Sequence, residues 1–279
     1  MRRGISCRYA RKKSALDRVG RRRTVASFAV KAVILSLLPE AIRPAGSDRQ
    51  GSMRLMSTAV FTPKFISFDC YGTLTRFRMT EMATEFYADR LNAENLPNFC
   101  KDWTAYRFDE VMGPWQPYRD VIANSLERCS KKWGVEFRED EANAVYQAVP
   151  TWGPHEDVPG GLSKICDKIP LVILSNAMNS QIMSNVGLLG ATFHRVYTAE
   201  SAQAYKPRMQ AFEYMFDQLG MGPEVGMHVS SSFRYDQNTA TDLGFGCRVF
   251  VGRGHEPSNG NYRDVEIPHI GALPSVVGL

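Results

Sequence analysis

Short apolar runs alternate with helical patterns along the chain from residue 65 onward. Each run is long enough for a strand and has few polar positions, as in a parallel sheet that is covered on both faces. Strands that alternate with helical segments are typical of an open, Rossmann-like α/β sheet. The pattern therefore predicts an α/β core. The five predicted strands begin at Phe65, Ile169, Arg195, Met227 and Cys247.

Two helices are predicted with defined ends. From Tyr118 to Trp133, apolar side chains recur at i, i+4, i+7 and i+11, and Gly134 ends the helix. A second helix follows Lys206-Pro207 and ends at Gly220. The side chains predicted to line one face of this second helix are Met209, Phe212, Phe216 and Leu219.

Residues 80–150 are aromatic-rich and helical in pattern, and no strand pattern interrupts them. We expect a helical cap at 79–150, inserted into a core formed by residues 58–78 and 151–279. Such a cap would cover the carboxyl ends of the strands, where open α/β sheets bind ligands, and would exclude bulk water. A helical subdomain that packs only for stability accounts for the same pattern, and the two interpretations are not exclusive.

The first 57 residues differ from the rest in charge. They hold 14 of the 34 Lys and Arg residues but only three acids, Asp17, Glu40 and Asp48. The formal net charge of +5 therefore divides into +11 for this leader and −6 for residues 58–279. Basicity belongs to the leader, so the remaining residues give no reason to expect a nucleic-acid partner.

The leader has three interpretations: a targeting peptide, a nucleic-acid-binding arm, or upstream sequence outside the native protein. Lys31 interrupts its apolar run at Val25–Leu38, which disfavours a secretory signal. The scarcity of aromatic residues disfavours a nucleic-acid-binding arm. We expect upstream sequence, with a native start at Met53 or Met56, and we leave residues 1–57 out of the fold as a disordered or over-extended segment.

The remaining composition indicates a cytoplasmic protein without a membrane partner. No stretch reaches the roughly 18 uninterrupted apolar residues of a spanning helix. The six cysteines are scattered without metal-type spacing, which predicts reduced thiols. A hydrophobic content of 44% is sufficient for a real core.

The first predicted strand stops at an acid and then turns through a glycine, in the segment Phe65–Thr75. Asp69 lies at the carboxyl end of this buried strand, where open α/β sheets place their ligands. Gly72 allows the sharp turn, and Thr73 can hydrogen-bond the carboxylate. This geometry suits a nucleophilic aspartate, although a solvated acid before a turn is also common.

The pattern Asp-x-x-Gly-Thr resembles the first motif of the haloacid dehalogenase superfamily, whose nucleophile is the first acid of Asp-x-Asp-Gly-Thr. Most members are phosphatases, and their second aspartate protonates the leaving oxygen. Tyr71 stands at that position here, and a tyrosine with a reference pKa of about 10 is a poor replacement. Halide leaves without a proton. The chain therefore resembles the 2-haloacid dehalogenases within this superfamily.

The second and third motifs of that family also have counterparts. Ser175-Asn176 follows the second strand, where the dehalogenases carry Ser-Asn-Gly, and Ala177 replaces the glycine. The resemblance implies that Ser175 hydrogen-bonds the substrate carboxylate and that Asn176 helps to hold the halide, although Ser-Asn also fits a helix N-cap. Lys206 resembles the third-motif lysine, which pairs with the nucleophile and the substrate carboxylate. Such a cation would keep Asp69 ionised.

The loop after the fourth strand resembles the fourth motif. In the dehalogenases a serine, an asparagine and a final aspartate of this loop position the water that hydrolyses the ester. By match, Ser231 and Asp236 have this role, and Tyr235 flanks the halide. The asparagine is missing, and Ser232 and Asn238 are the alternatives for its place.

Two further expectations come from the same resemblance. Phosphatase relatives carry a magnesium-binding acid where Ser231 stands, and Asp69 with Asp236 alone would make a thin magnesium site, so we expect no metal and no cofactor. The family also holds the departing halide with an arginine from the cap. Arg107 is the candidate and Arg119 the alternative, and a solvated arginine on a helix face is an equally good description of either.

The resemblance covers about residues 60–260 and implies a hydrolase of small (S)-2-haloacids. Asp69 would attack the carbon that bears the halogen, and water would then hydrolyse the aspartyl ester to a 2-hydroxy acid. The expected partner is a small halogenated carboxylic acid. Homodimers are common in the family, but no surface pattern here demands one. The alternatives are a magnesium-dependent phosphatase and a catalytically idle superfamily member that acts as a binding module.

Overall fold

Six parallel strands form the centre of the structure, a computed structural model that describes residues 61–279. They are ordered β3-β2-β1-β4-β5-β6, so that β1 lies between β2 and β4. The leader at 1–57 lies outside the described residues. The strands are β1 Phe65–Phe68, β2 Leu171–Ser175, β3 Arg195–Thr198, β4 Gly226–Ser230, β5 Cys247–Val251 and β6 Val265–Ile267.

Helices cover the sheet and form a separate cap. The sheet and its covering helices confirm the expected α/β core. The helices are α1 Met79–Tyr87, α2 Leu96–Met112, α3 Tyr118–Trp133, α4 Glu139–Ala148, α5 Val158–Leu162, α6 Asn179–Val186, α7 Ala199–Ala202, α8 Met209–Leu219, α9 Asn238–Asp242 and α10 Leu273–Val276.

The strands contain apolar runs because both faces of the sheet are buried. Every residue of β1, β2 and β4 is buried, which a parallel sheet between two layers requires. The sixth strand escaped the sequence analysis. It is only three residues long, contains the exposed Glu266 and pairs with β5 at the edge of the sheet, so it lacks the apolar run that marks the others.

The cap consists of α1 to α4, which follow one another between β1 and β2 without an intervening strand. A second hydrophobic core fills it, with Phe99, Trp103 and Ile122 fully or almost fully buried. Trp103 Nε1 donates to Ser125 Oγ at 2.9 Å, so the buried indole N–H has a hydrogen-bond partner. The cap is therefore a packed unit with its own core.

The predicted bounds of α3 and α8 agree with the structure, and both helices end at a glycine in the left-handed region. The predicted apolar face of α8 was wrong in one residue. Met209, the first residue of the helix, is 43% exposed. Phe212 and Met215 form the buried stripe together with Ala211.

One buried side chain joins α6, the end of the cap and the turn after β1. Asn185 Nδ2 donates to the backbone oxygens of Val149 and Trp152, both at 2.9 Å. Its Oδ1 accepts a hydrogen bond from the Tyr71 hydroxyl at 2.8 Å. Because Asn185 is fully buried, water could not take its place as the partner of these three groups.

Among residues 61–279, no helix combines the length and the apolar character needed to cross a bilayer.

We expect Asn185→Ala to lower the free energy of unfolding by roughly 2–4 kcal/mol, because it leaves two buried carbonyls and a hydroxyl without partners. Urea unfolding followed by circular dichroism measures the change. Asn124→Ala is the matched control, since Asn124 is exposed on α3 and bonds only to Gln116 among the described residues. An equal loss in both variants would contradict the assignment.

Candidate active site

The carboxyl ends of β1, β2 and β4 meet the cap around a cavity of about 330 Å³. Asp69 directly follows β1, while Ser175 and Ser230 end β2 and β4. Of the ten residues that the sequence analysis assigned to a site, all but Thr73 line this cavity. The nine are Asp69, Tyr71, Arg107, Ser175, Asn176, Lys206, Ser231, Tyr235 and Asp236.

Asp69 is held by two donors, one on each carboxylate oxygen. Lys206 Nζ donates to Oδ1 at 2.9 Å, and Thr73 Oγ1 donates to Oδ2 at 2.7 Å. Gly72 makes this contact available, because its φ of 95° turns the chain and brings Thr73 back over the carboxylate. Burial raises the pKa of Asp69 above its ordinary value, and Lys206 and Thr73 offset this only in part.

Lys206 is almost completely buried, and all three of its N–H donors are used. Nζ donates to Asp69 Oδ1 at 2.9 Å, to Asp236 Oδ1 at 2.6 Å and to the backbone oxygen of Leu174 at 2.8 Å. Burial alone would lower the pKa of Lys206, but the two carboxylates outweigh it and the pKa is raised. In this arrangement Lys206 holds the two aspartates and has no donor left for a substrate carboxylate.

Asp236 is fully buried and accepts three hydrogen bonds. Oδ1 receives Lys206 Nζ at 2.6 Å and faces His228 Nε2 at 3.1 Å, while Oδ2 accepts from Ser230 Oγ at 2.9 Å. Burial alone would raise the pKa of Asp236. Lys206 and His228 outweigh that effect, so the pKa is lowered and the carboxylate stays ionised.

The sequence analysis missed His228 and Ser230. They are two residues apart in β4, so their side chains point to the same face of the sheet. Two polar side chains at i and i+2 in an otherwise apolar buried strand are the signal that could have identified them. A polar group is buried at a cost unless it is hydrogen-bonded, and here the partner of both is Asp236.

Ser231 joins the loop after β4 to the turn after β1. Its backbone N donates to Thr73 Oγ1 at 2.9 Å, and the two hydroxyls are 3.1 Å apart. Thr73 therefore accepts from Ser231 while it donates to Asp69, which places the two loops in a fixed relation.

Ser175 and Asn176 have different environments. Both polar atoms of Asn176 bond to the backbone of Lys206, with Oδ1 accepting from Lys206 N at 2.7 Å and Nδ2 donating to Lys206 O at 3.0 Å. Asn176 therefore holds the lysine loop. Ser175 Oγ is buried beside the cavity without a hydrogen-bond partner among the described residues. The N-cap interpretation was wrong, because α6 begins at Asn179 with Met178 as its N-cap.

Tyr71 presents its ring to the cavity, while its hydroxyl donates to Asn185 on the other side. Trp152 packs edge-on against this ring at 6.2 Å between centroids. Burial raises the pKa of Tyr71, so the side chain is neutral, and its hydroxyl proton is donated to Asn185.

Of the two cap arginines, Arg107 faces the cavity and Arg119 does not. Arg107 is buried with its guanidinium over the rings of Phe77 at 5.0 Å and Trp103 at 4.8 Å. Its Nη1 has no hydrogen-bond partner among the described residues. The Arg119 side chain is 52% exposed and pairs with Glu139 at 3.4 Å. A buried guanidinium beside a cavity favours an anionic ligand.

Tyr235 closes the cavity against the cap. Its ring packs edge-on against Phe108 of α2 at 5.1 Å, and burial raises its pKa to about 12. Of the two alternatives for the missing asparagine, Ser232 lines the cavity and Asn238 does not. The Ser232 hydroxyl donates to Glu256 at 2.7 Å, so its proton is committed to holding the loop.

Three side chains at the mouth of the cavity were not identified from the sequence: Arg234, His255 and Glu256. Glu256 also accepts from the backbone N of Phe233 at 2.9 Å and so fixes the start of a short π-helix at Phe233–Gln237. Within 61–279, no group of three or more His, Cys, Asp or Glu side chains is arranged to hold a metal ion. The expectation of a reaction without a metal stays a prediction.

The chain is similar in sequence to one curated protein and in fold to many solved structures. No family model matches the chain. Haloacetate dehalogenase H-2 of Moraxella sp. (strain B) is 26% identical over 193 residues, which are 64% of this chain and 82% of that protein.

Two solved structures illustrate the fold. The L-2-haloacid dehalogenase of Xanthobacter autotrophicus with chloropropionic acid covalently bound has a TM-score of 0.64 at 20% identity, over 77% of this chain and 98% of that one. The HAD-hydrolase YfnB of Bacillus subtilis, bound to magnesium, has a TM-score of 0.66 at 14% identity, over 78% and 100%. The chain therefore has the capped α/β fold of the haloacid dehalogenase superfamily, and it resembles the L-2-haloacid dehalogenases within it.

Proposed function

We propose that this chain hydrolyses small (S)-2-haloacids to 2-hydroxy acids through an ester on Asp69, without a metal. The observation that carries the proposal is the buried ammonium of Lys206 between Asp69 and Asp236, at the floor of a capped cavity. Tyr71 and Ser231 stand where phosphatases of this fold carry their additional acids. The sequence similarity to a haloacetate dehalogenase supports a hydrolase that acts on carbon–halogen bonds.

The first step is a displacement at the carbon that bears the halogen. A carboxylate oxygen of Asp69 forms a bond to that carbon from the side opposite the halogen, the carbon–halogen bond breaks, and halide leaves with the electron pair. Halide needs no proton, so an acid at position 71 is not required. The cap excludes water that would otherwise solvate and weaken the nucleophile.

Two polar groups that have no partner among residues 61–279 are suited to the substrate's charged parts. The Arg107 guanidinium, buried between two aromatic rings, would stabilise the departing halide. The Ser175 hydroxyl would donate to the substrate carboxylate, a task that Lys206 cannot share while its three donors are occupied.

The second step regenerates Asp69. Asp236 takes a proton from a water molecule whose oxygen attacks the carbonyl carbon of the ester, and the bond from that carbon to the alkoxide oxygen breaks. The alkoxide takes up a proton and leaves as the 2-hydroxy acid. Asp69 becomes a carboxylate again with one oxygen from water, and the net products are hydroxy acid, halide and a proton.

We expect the full chain to release halide from racemic 2-chloropropionate in excess chelator and to stop near half conversion, because only one enantiomer suits displacement in a chiral cavity. Asp69→Asn should slow release by on the order of 10³-fold or more, since an amide is a poor nucleophile. Asp242→Asn is the control at an exposed acid. Halide release that survives unchanged in Asp69→Asn would refute the proposal, as would activity only on phosphate esters with added magnesium.

Arg107→Met removes the buried charge and retains an apolar stem between Phe77 and Trp103. We expect kcat/KM for 2-chloropropionate to fall by roughly 10–100-fold and product inhibition by chloride to weaken, because a charged hydrogen bond contributes about 1.5–3 kcal/mol. Arg119→Met, the matched change at the exposed cap arginine, should stay within about twofold. Equal effects of the two substitutions would contradict a role in halide binding.

We expect kcat/KM to fall at acid pH, because Asp69 must be ionised to attack. Burial raises the pKa of Asp69, so activity is lost at a higher pH than an ordinary carboxyl would give. Thr73→Val removes a donor to the charged form and should move this limb to still higher pH. Thr84→Val, an exposed threonine of the cap, should leave the profile in place. A limb that moves to lower pH in Thr73→Val would overturn the assignment.

A further inference from the structure

His228 is a fully buried histidine that the reaction described above does not use. It lies in β4 opposite Ser67 of β1, and its Nδ1 is 2.8 Å from Ser67 Oγ. Its Nε2 is 3.1 Å from Asp236 Oδ1. Hydrogen-bonding contacts therefore connect Ser67 of the central strand through His228 to Asp236, the proposed base of the second step.

The partners of His228 determine which nitrogen carries the proton. Asp236 is ionised and can only accept, so the nitrogen that faces it, Nε2, must donate. On the other side of the ring, Nδ1 lies 2.8 Å from Ser67 Oγ, and this hydroxyl also lies 3.3 Å from the backbone oxygen of Met227. The rings of Phe212 and Phe245 pack against the imidazole, with centroids at 5.5 and 5.2 Å, and hold its plane.

The donors around Asp236 leave it one free direction. An ionised carboxylate has about four acceptor sites, two on each oxygen. Lys206 and His228 fill both sites of Oδ1, and Ser230 fills one site of Oδ2. Among residues 61–279 no further donor reaches the remaining site on Oδ2. This site is the acceptor position of Asp236 that is left for the water of the proposed second step, and Asp236 lines the cavity.

We propose that His228 is a positioning residue for the second step, which fixes the Asp236 carboxylate so that Oδ2 faces the hydrolytic water. The inference rests on the proposed function. Without His228, Asp236 would keep only the donors Lys206 on Oδ1 and Ser230 on Oδ2 among the described residues, so its carboxylate would be less firmly oriented and its free site could turn away from the ester. The first step uses Asp69 as a nucleophile and needs no base, so its rate does not depend on the contact between His228 and Asp236.

The two steps separate in steady-state kinetics. Carbon–halogen cleavage is irreversible, so kcat/KM reports the events up to halide release, while kcat also contains ester hydrolysis. A residue that acts only on hydrolysis therefore changes kcat and KM together and leaves kcat/KM unchanged. A residue that merely supports the fold would lower kcat/KM as well.

The test compares His228→Asn with His228→Gln on 2-chloropropionate. The glutamine amide reaches the position of Nε2 and can still donate to Asp236, whereas the asparagine amide reaches only the position of Nδ1. We expect kcat of the asparagine variant to fall by roughly 10–100-fold, the effect of one charge-assisted hydrogen bond, with kcat/KM unchanged. The glutamine variant should recover most of the loss.

The intermediate gives a second measurement. In the asparagine variant, rapid quenching should show a burst of about one halide per enzyme, and the mass of the intact chain should increase by that of 2-chloropropionic acid less hydrogen chloride. Ser67→Ala, which keeps the histidine, should show a smaller effect on the same step and keeps the inference testable if the asparagine variant does not fold.

The outcomes separate the two proposals. A wild-type chain that releases no halide overturns the proposed function and this inference with it. An active wild type with an asparagine variant in which kcat/KM falls as much as kcat, or in which glutamine restores nothing, overturns only the role of His228.

Discussion

A buried ammonium between two buried carboxylates is the constraint on which the site depends. Lys206 could not remain charged in a dry interior alone, and neither could both aspartates. Together they meet because β1, β2 and β4 end at the same edge of the sheet and the lysine loop passes over that edge. Removing Lys206 would leave two buried carboxylates without their cation, whereas removing either aspartate would leave a neutral lysine–carboxylate pair.

The secondary contacts extend this constraint into the rest of the chain. Asn176 hydrogen-bonds to the backbone N and O of Lys206. Thr73 links Asp69 to Ser231. Asn185 links the turn that contains Tyr71 to the end of the cap. Each link spans elements that are distant in sequence. The cap is thereby held in a fixed relation to the strand ends, and the cavity between them has a defined shape.

The α/β core and most of the residues at its strand ends could be predicted from the sequence, because they depend on local patterns. Buried strands of a parallel sheet are continuous apolar runs, and the acid, serine and lysine that follow them lie at one edge of the sheet. What escaped depends on register and orientation. The contact of Ser67 with His228 across the sheet and the use of all three Lys206 donors by groups of the protein require knowing which way a side chain points. The strand β6 escaped because a three-residue edge strand has no pattern of its own.

Arg107, which forms no ion pair within the described part of the chain, determines the charge balance of the cavity. With Lys206 it supplies two positive charges against those of Asp69 and Asp236, so the resting cavity is close to neutral. The carboxylate substrate that we propose would add one negative charge to this poorly hydrated space. In the proposed reaction, expulsion of halide would remove that charge again, so the charge balance of the cavity would favour the forward direction of carbon–halogen cleavage.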